Sequence, residues 1–312
     1  MTSPAPYTPA PASDFVLAFD LPKVGLRGRL VRLDSASARA LSAHALPEEA
    51  ARIAGETLAM AALLGSALKL DGRLTVQTKS KGPLDLVTVD YYGAAESEAA
   101  DGLKPTAGLR GFARLDADRR AQLGKKPSQG ALLGQGVMAI TIEPRTGGNT
   151  YQGIVELSAD GMAASAETYF AQSEQLPTSI KLAAAPLFVP GQKEAQWRAG
   201  GMMLQQTPDG AKDDDAFERL TSHLRTLEDV ELVDSSASGE EILWRLFHED
   251  EVRVHSAEPL SFRCECNSDR IVGVLKSYPA EERAGLADED GIIRAKCEFC
   301  GKVHEIGPAS FQ

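Results

Sequence analysis

The chain lacks any run of about eighteen apolar residues, the length a membrane-crossing helix needs, so no membrane span is expected. It also lacks an excess of positive charge: 33 basic residues stand against 44 acidic ones, a formal net charge of −11. Aromatic residues are scarce at 6%, and Ala, Val and Leu fill out a hydrophobic content of 43%, enough for a sizeable core. The opening stretch MTSPAPYTPAPASD has neither the basic start nor the apolar segment of an export signal. It reads as a disordered Pro/Ala tail over residues 1–14, and the chain is expected to stay in a reducing cytoplasm. Cysteine is scarcest of all, with four residues in 312. Standing disulfides are rare in a reducing compartment, so these four are expected to be metal ligands or redox groups.

The negative charge is unevenly placed. From Asp209 onward lie 24 of the acidic and only 12 of the basic residues, a net of −12, which leaves the preceding 208 residues at +1. A nucleic-acid-binding module shows a basic stripe, so the acidic C-terminal third excludes that class of partner.

Catalytic signatures are missing too. HEDEV (248–252) has Val252 where a zinc-protease helix needs its second histidine. Gly124-Lys125-Lys126 has no phosphate-loop spacing and no hydroxyl residue after the lysine, and no G-x-S-x-G occurs. Asp213 to Asp215 lacks the spacing of a calcium loop and reads as charge at a helix start. The chain is therefore not expected to be an enzyme.

The first 208 residues read as an α+β domain. Residues 14–33 alternate loosely as a strand pair. PEEAARIAGETLAMAALLGSALKL, from Pro47, reads as a core helix with its proline and two glutamates at the start. The period then changes to two: 73–79, 84–92, 110–115, 136–143 and 151–158 read as strands, with RTGGN as a hairpin turn. A polar loop fills 93–108. A second helix from Asp160 stops before Pro177, and strand-like runs at 180–189 and 199–206 follow. The pattern predicts a mostly antiparallel sheet with packed helices over 15–208. Residues 209–255 read as a helical linker. Phe217, Leu220, Leu224 and Leu227 form a seam at spacings of 3, 4 and 3, and Ile242, Leu243, Leu246 and Phe247 share one face of GEEILWRLFHED. This segment is too charged and thin for a core of its own, so its seam must lie on something else.

The last segment, 256–312, contains every cysteine: Cys264 and Cys266 as C-x-C, then thirty residues, then Cys297 and Cys300 as C-x-x-C. Helices are expected near 268–278 and 280–287, and short strands around Cys297 and Cys300. Two thiol pairs brought together supply the four ligands of a tetrahedral Zn²⁺ site. Bound metal is worth about 10–16 kcal/mol to the folding of such a segment, more than its apolar burial provides. Two readings of the site stay open: a purely structural clip, which spacing alone favours, and a redox switch, because each thiol has a neighbour able to resolve a sulfenic acid into a disulfide. Arg263, Arg270, Lys296 and Lys302 flank the thiols, opposed by Glu265 and Glu298. His304 follows Cys300 by four residues, but four cysteines fill the site, so it is expected on the surface.

Several long motifs carry a resemblance: GRLTVQTKSKGPLDLVTVDYYG, LRGFARL, YQGIVELS, YFAQSEQLPT, AGGMMLQQTP, LWRLFHEDEVRV, and the C-x-C plus C-x-x-C pairs, in that order. The chain resembles the heat-shock protein 33 family of redox-regulated chaperones, also called 33 kDa chaperonins, over nearly its whole length. The resemblance implies an ATP-independent holdase of the bacterial cytosol. It implies one Zn²⁺ on Cys264, Cys266, Cys297 and Cys300 in a reduced, inactive state. It further implies that oxidation forms Cys264–Cys266 and Cys297–Cys300 disulfides, releases zinc and unfolds the linker, so that unfolding client proteins are bound, often by a homodimer. Asn267 stands where the family is expected to carry Ser, but either residue caps a helix from Ser268. The tail and the 93–108 loop look longer than the family's. An acidic zinc-ribbon adaptor for one folded partner and a thiol oxidoreductase are the alternatives.

Overall fold

The computed structural model describes residues 14–68, 70–94, 106–188, 195–207 and 213–311. The expected tail up to residue 13, most of the 93–108 loop and the break after Thr207 lie outside the described residues. The chain divides into two compact units, Met1–Phe262 and Arg263–Gln312.

In the first unit the strands are β1 (Phe15–Leu21), β2 (Leu26–Leu33), β3 (Gly72–Ser80), β4 (Leu84–Tyr92), β5 (Ala107–Leu115), β6 (Gly136–Pro144), β7 (Tyr151–Glu156), β8 (Thr178–Leu187), β9 (Gln196–Gln206), β10 (Arg253–Val254) and β11 (Glu258–Phe262). They form one sheet in the order β7-β6-β3-β4-β5-β11-β1-β2-β9-β8, with β10 also on β1. Every pairing is antiparallel except that of β11 with β5. The fold is α+β, as the change of period along the sequence implies.

The helices are α1 (Ser35–Ser42), α2 (Glu48–Ala67), α3 (Ala117–Ala121), α4 (Gln129–Leu133), α5 (Met162–Tyr169), α6 (Asp214–Thr226), α7 (Asp229–Val233) and α8 (Gly239–Phe247). Helix α2 is buried along almost its full length, because alanine and glycine positions on all its sides let strands of both halves of the sheet approach it. Gly65 shows how close: a Cβ there would come within 2.2 Å of the Tyr91 ring. Twenty residues long, α2 still carries charge, and among the described residues no helix is long and apolar enough to cross a membrane.

Asp14 corrects the expected tail. It is 8% exposed, and its Oδ1 accepts from the backbone N–H groups of Asp34 (2.7 Å) and Ala36 (3.0 Å), tying down the start of α1. The 35–42 helix has no counterpart in the sequence reading, for it is short and polar on its exposed side. Strand β11 is a second correction. Sequence reasoning grouped it with the cysteine segment. It instead lies between β1 (Phe15↔Pro259) and β5 (Leu260↔Ala107), bridging the two halves of the sheet. Five residues pairing in parallel with a strand some 150 positions away carry no local signal.

Helices α6 to α8 lie on the first unit's sheet. The seam read as one helix is interrupted at Leu227, whose extended backbone ends α6 before α7 begins. Leu220, Leu224, Leu227, Ile242, Leu243, Leu246 and Phe247 are buried, while Phe217 is half-buried. They pack in one cluster with Leu17, Phe19 and Leu21 of β1, Leu26 and Leu30 of β2, and Met202 and Leu204 of β9. Phe247 stacks on Phe19 with ring centroids 5.5 Å apart. Polar groups hold the ends: Asp213 Oδ1 accepts from Ala216 N–H at 2.9 Å, and Ser238 and Glu241 form a reciprocal capping box at α8. Arg32, itself buried, donates to the carbonyls of Glu231 (2.8 Å) and Ala237 (2.5 Å), and Arg219 pairs with both oxygens of Asp250. Phe247→Ala therefore costs about 3–5 kcal/mol in urea unfolding, the usual price of a large core cavity. A loss below 1 kcal/mol would mean that the helices are not held by this cluster.

Glu56 of α2 is 7% exposed and accepts from Gln129 Nε2 at 2.6 Å. Burial pushes its pKa up to about 7. Between pH 4.5 and 7 the folded chain holds a proton that the unfolded chain has released, so stability falls as pH rises through this window and is flat above it. Glu56→Gln should gain on the order of 1–3 kcal/mol at pH 8 and nothing at pH 4, measured by urea unfolding at the two values.

Candidate metal centre

The second unit is small. It contains α9 (Ser268–Leu275), α10 (Ala280–Gly285), β12 (Ile293–Lys296) and β13 (Val303–Ile306). Its buried apolar residues are Leu275, Ile293 and Ile306, with Ile271, Val272, Ala287 and Phe311 packed around them. A core of this size cannot repay the ordering of about fifty residues by burial alone.

Two local structures aim the cysteines. Cys264 and Cys266 sit in irregular chain directly before α9, whose cap is Asn267: its Oδ1 accepts from Arg270 N–H at 2.7 Å. The Asn in place of Ser therefore does the capping anticipated for it. Cys297 and Cys300 sit in the turn joining β12 to β13, two antiparallel strands in register Ile293↔Ile306 to Lys296↔Val303. That turn is closed by Cys297 N–H to Lys302 O (2.8 Å) and Gly301 N–H to Cys297 O (2.9 Å). Gly301 takes a φ of 72°, a left-handed conformation that favours glycine.

The two turns bring all four sulfurs within 4.8 Å of one another. Cys264 Sγ lies 3.7 Å from Cys297 Sγ, and Cys266 Sγ lies 3.5 Å from Cys300 Sγ. All four are free thiols and half-buried. A tetrahedral ion with metal–sulfur bonds of about 2.3 Å places its ligands roughly 3.8 Å apart. The donor set and its spacing therefore fit a metal of zinc's type. Electrostatics point the same way. Burial, then the thiols of Cys300, Cys264 and Cys297, push the Cys266 thiol well up, and burial first of all raises Cys264. Burial also opposes ionisation of Cys300, but the Lys302 backbone N–H and the three neighbouring thiols donate to its sulfur and hold it below the usual thiol range. So the cluster tolerates one negative sulfur readily and further ones poorly unless a cation sits among them.

Of the flanking charges, Arg263 pairs with Glu265 at 2.9 Å, beside Cys264. His304 is not on the surface, contrary to expectation. It is 3% exposed, its Nδ1 lies 3.2 Å from Ser268 Oγ, and its Nε2 has no hydrogen-bond partner. Strand alternation is the missed signal: Val303 and Glu305 face outward while His304 and Ile306 face the small core. His304 does not belong to the sulfur group.

The family model described as Hsp33 protein matches residues 14–307. The chain belongs to the Hsp33 family. It is 38% identical to the 33 kDa chaperonin of Caulobacter vibrioides over 99% of both chains. It is 35% identical to that of Serratia proteamaculans over 88% of this chain and 86% of the relative. The crystal structure of the heat shock protein 33 homologue from Thermotoga maritima has a TM-score of 0.73, covers 96% of each chain and is 20% identical, a likeness of fold.

Titration of the reduced chain with zinc should saturate at one ion per chain, with protons released because Cys264 and Cys266 otherwise hold theirs. Affinity accordingly falls as pH falls. Cys266→Ser should weaken binding by more than the roughly 10–100-fold cost of losing an outer-shell partner, read by competition with a chromogenic chelator. Equal affinity in the variant would remove Cys266 from the ligand set.

Proposed function

We propose that this chain is an oxidation-activated holdase, a chaperone that binds unfolding proteins without using ATP. The observation that carries this reading is the convergence of four free thiols within 4.8 Å in a unit with almost no apolar core. Family membership and the name chaperonin on its relatives support the client class: unfolded, aggregation-prone polypeptides.

In the reduced state Cys264, Cys266, Cys297 and Cys300 would hold one Zn²⁺, whose positive charge would let all four sulfurs ionise together. Residues 263–312 then act as the redox-switch domain and 209–255 as the linker it controls. An oxidant such as peroxide takes two electrons from each pair, forming Cys264–Cys266 and Cys297–Cys300 while the peroxide is reduced to water. Sulfurs bonded to each other no longer supply four thiolates, so the metal-dependent part of the folding energy is lost. The linker is the element poised to respond. Leu220, Leu224, Leu227, Ile242, Leu243 and Phe247 are buried against β1, β2 and β9, so undocking uncovers both the seam and the strands beneath it. An apolar surface of that kind binds exposed segments of unfolding chains. The active form is proposed to be a homodimer in the cytoplasm.

Light scattering of a thermally unfolding client tests the reading. The peroxide-treated chain should suppress aggregation near one chain per client, and the reduced, zinc-loaded chain should not. Amide exchange of residues 214–247 should speed up in the oxidised form. Equal activity of the two forms, or a linker that stays protected after oxidation, would leave the four cysteines as a structural clip.

A further inference from the structure

The interface between α9 and β13 changes character along its length. On α9, Ser268, Ile271, Val272 and Leu275 recur at helical spacing and share one side. On β13, His304 and Ile306 point inward while Val303 and Glu305 point out. Helix α9 lies against β13. Away from the cysteines the contact is apolar: Ile271, Val272 and Leu275 pack with Ile306 and with Ile293 of β12. Nearer the cysteines it is polar. His304 Nδ1 lies 3.2 Å from Ser268 Oγ, a hydrogen bond in either tautomer of the ring, because a hydroxyl can donate or accept.

For burial alone a histidine is a poor choice at position 304. The residue is 3% exposed, and Nε2 has no hydrogen-bond partner among the described residues. A nitrogen buried without a partner destabilises the fold relative to an apolar side chain of similar size. The ring is not one of the clustered ligands either, for it stands outside the group of atoms that lie within 4.8 Å of one another. What it contributes is confined to Nδ1, and that bond spans the two halves of the thiol site. Ser268 opens α9 and follows Cys266 by two positions. His304 follows Cys300 by four, in the strand that leaves the C-x-x-C turn. Across the same gap the sulfurs stand 3.7 Å apart (Cys264 to Cys297) and 3.5 Å apart (Cys266 to Cys300). Thiols that close repel one another as they ionise, so a contact other than sulfur is needed to hold the separation.

We infer that His304 is a positioning residue for the metal centre: through Ser268 it holds the C-x-C turn at ligand distance from the C-x-x-C turn, so that a thiophilic cation such as Zn²⁺ meets four sulfurs already in place. A site whose halves are held in advance binds more tightly, because less ordering is left for the ion to impose. The inference rests on the four-thiol reading of the centre and is independent of whether the thiols also act as a switch.

The test uses the full, reduced chain, with zinc affinity read by competition with a chromogenic chelator. Ser268→Ala removes one hydroxyl from an exposed helix start and should weaken zinc roughly 3- to 10-fold, the worth of one hydrogen bond. Ser268→Thr keeps the hydroxyl and should bind as the wild type does. His304→Leu removes the orphan nitrogen and keeps an apolar side chain in the core, yet should weaken zinc by a similar factor. Ser268→Ala and His304→Leu together should lose no more than either alone, since both break the same bond. Co²⁺ in place of zinc should give the same visible bands in all three variants, because the four sulfurs stay the ligands. Additive losses in the double variant, Ser268→Thr no better than Ser268→Ala, or wild-type affinity in Ser268→Ala would each overturn the inference. A shifted cobalt spectrum in His304→Leu would also overturn it, by making His304 a ligand. Cys266→Ser, measured alongside, separates this inference from the reading beneath it. Wild-type affinity in Cys266→Ser brings down the ligand set and the inference with it, whereas a weakened Cys266→Ser beside an unchanged Ser268→Ala removes the role of His304 alone. If His304→Leu does not fold, Ser268→Ala and Ser268→Thr decide between them.

Discussion

Four sulfur atoms within 4.8 Å of one another cannot all be thiolates without a cation between them. The second unit depends on this constraint, because the apolar cluster around Leu275, Ile293 and Ile306 is too small to order the chain by itself. The cysteine pairs are built for it at both ends. Asn267 caps α9 directly behind Cys266, and the left-handed Gly301 closes the turn after Cys300, so each pair is preshaped before the two meet. A site assembled from two preformed halves loses its basis when either half is chemically changed. This makes the same four residues suitable both as a clip and as a sensor.

The first unit solves a different packing problem. Its long sheet is held together by α2, whose small residues allow close approach from many strands, and by β11, which completes the hydrogen bonding between β1 and β5. Helices α6 to α8 are guests on this framework. Their leucines and Phe247 have no partners among themselves sufficient to form a core, and they complete one only with β1, β2 and β9. Their caps and the Arg219–Asp250 pair fix local shape, but the burial that stabilises them belongs to the shared surface. An element of that kind separates as a unit when its dock weakens.

Much of this was legible along the chain. The period-two runs coincide with β3 to β7, the last overrunning its strand by two residues, the alanine-rich stretch holds α2, and the leucine spacing at 220, 224 and 227 marks a buried seam. C-x-C and C-x-x-C spacing identified the four residues that the fold brings together, because short gaps in a cysteine pair carry their chemistry locally. The misses have two causes. Asp14 and β11 owe their places to partners far away in sequence, which nothing within a few residues of each announces, whereas α1 is too short and polar to stand out and the inward turn of His304 lies in the alternation of its own strand.

Residue order alone established the α+β class, the amphipathic seams and the cysteine pairs, since all three rest on periodicity or spacing over a handful of positions. Tertiary structure decided which surface the seams occupy, which strand bridges the sheet and how closely the sulfurs approach. Those outcomes follow from long-range packing and desolvation, whose energies depend on what surrounds a group rather than on its neighbours in the chain.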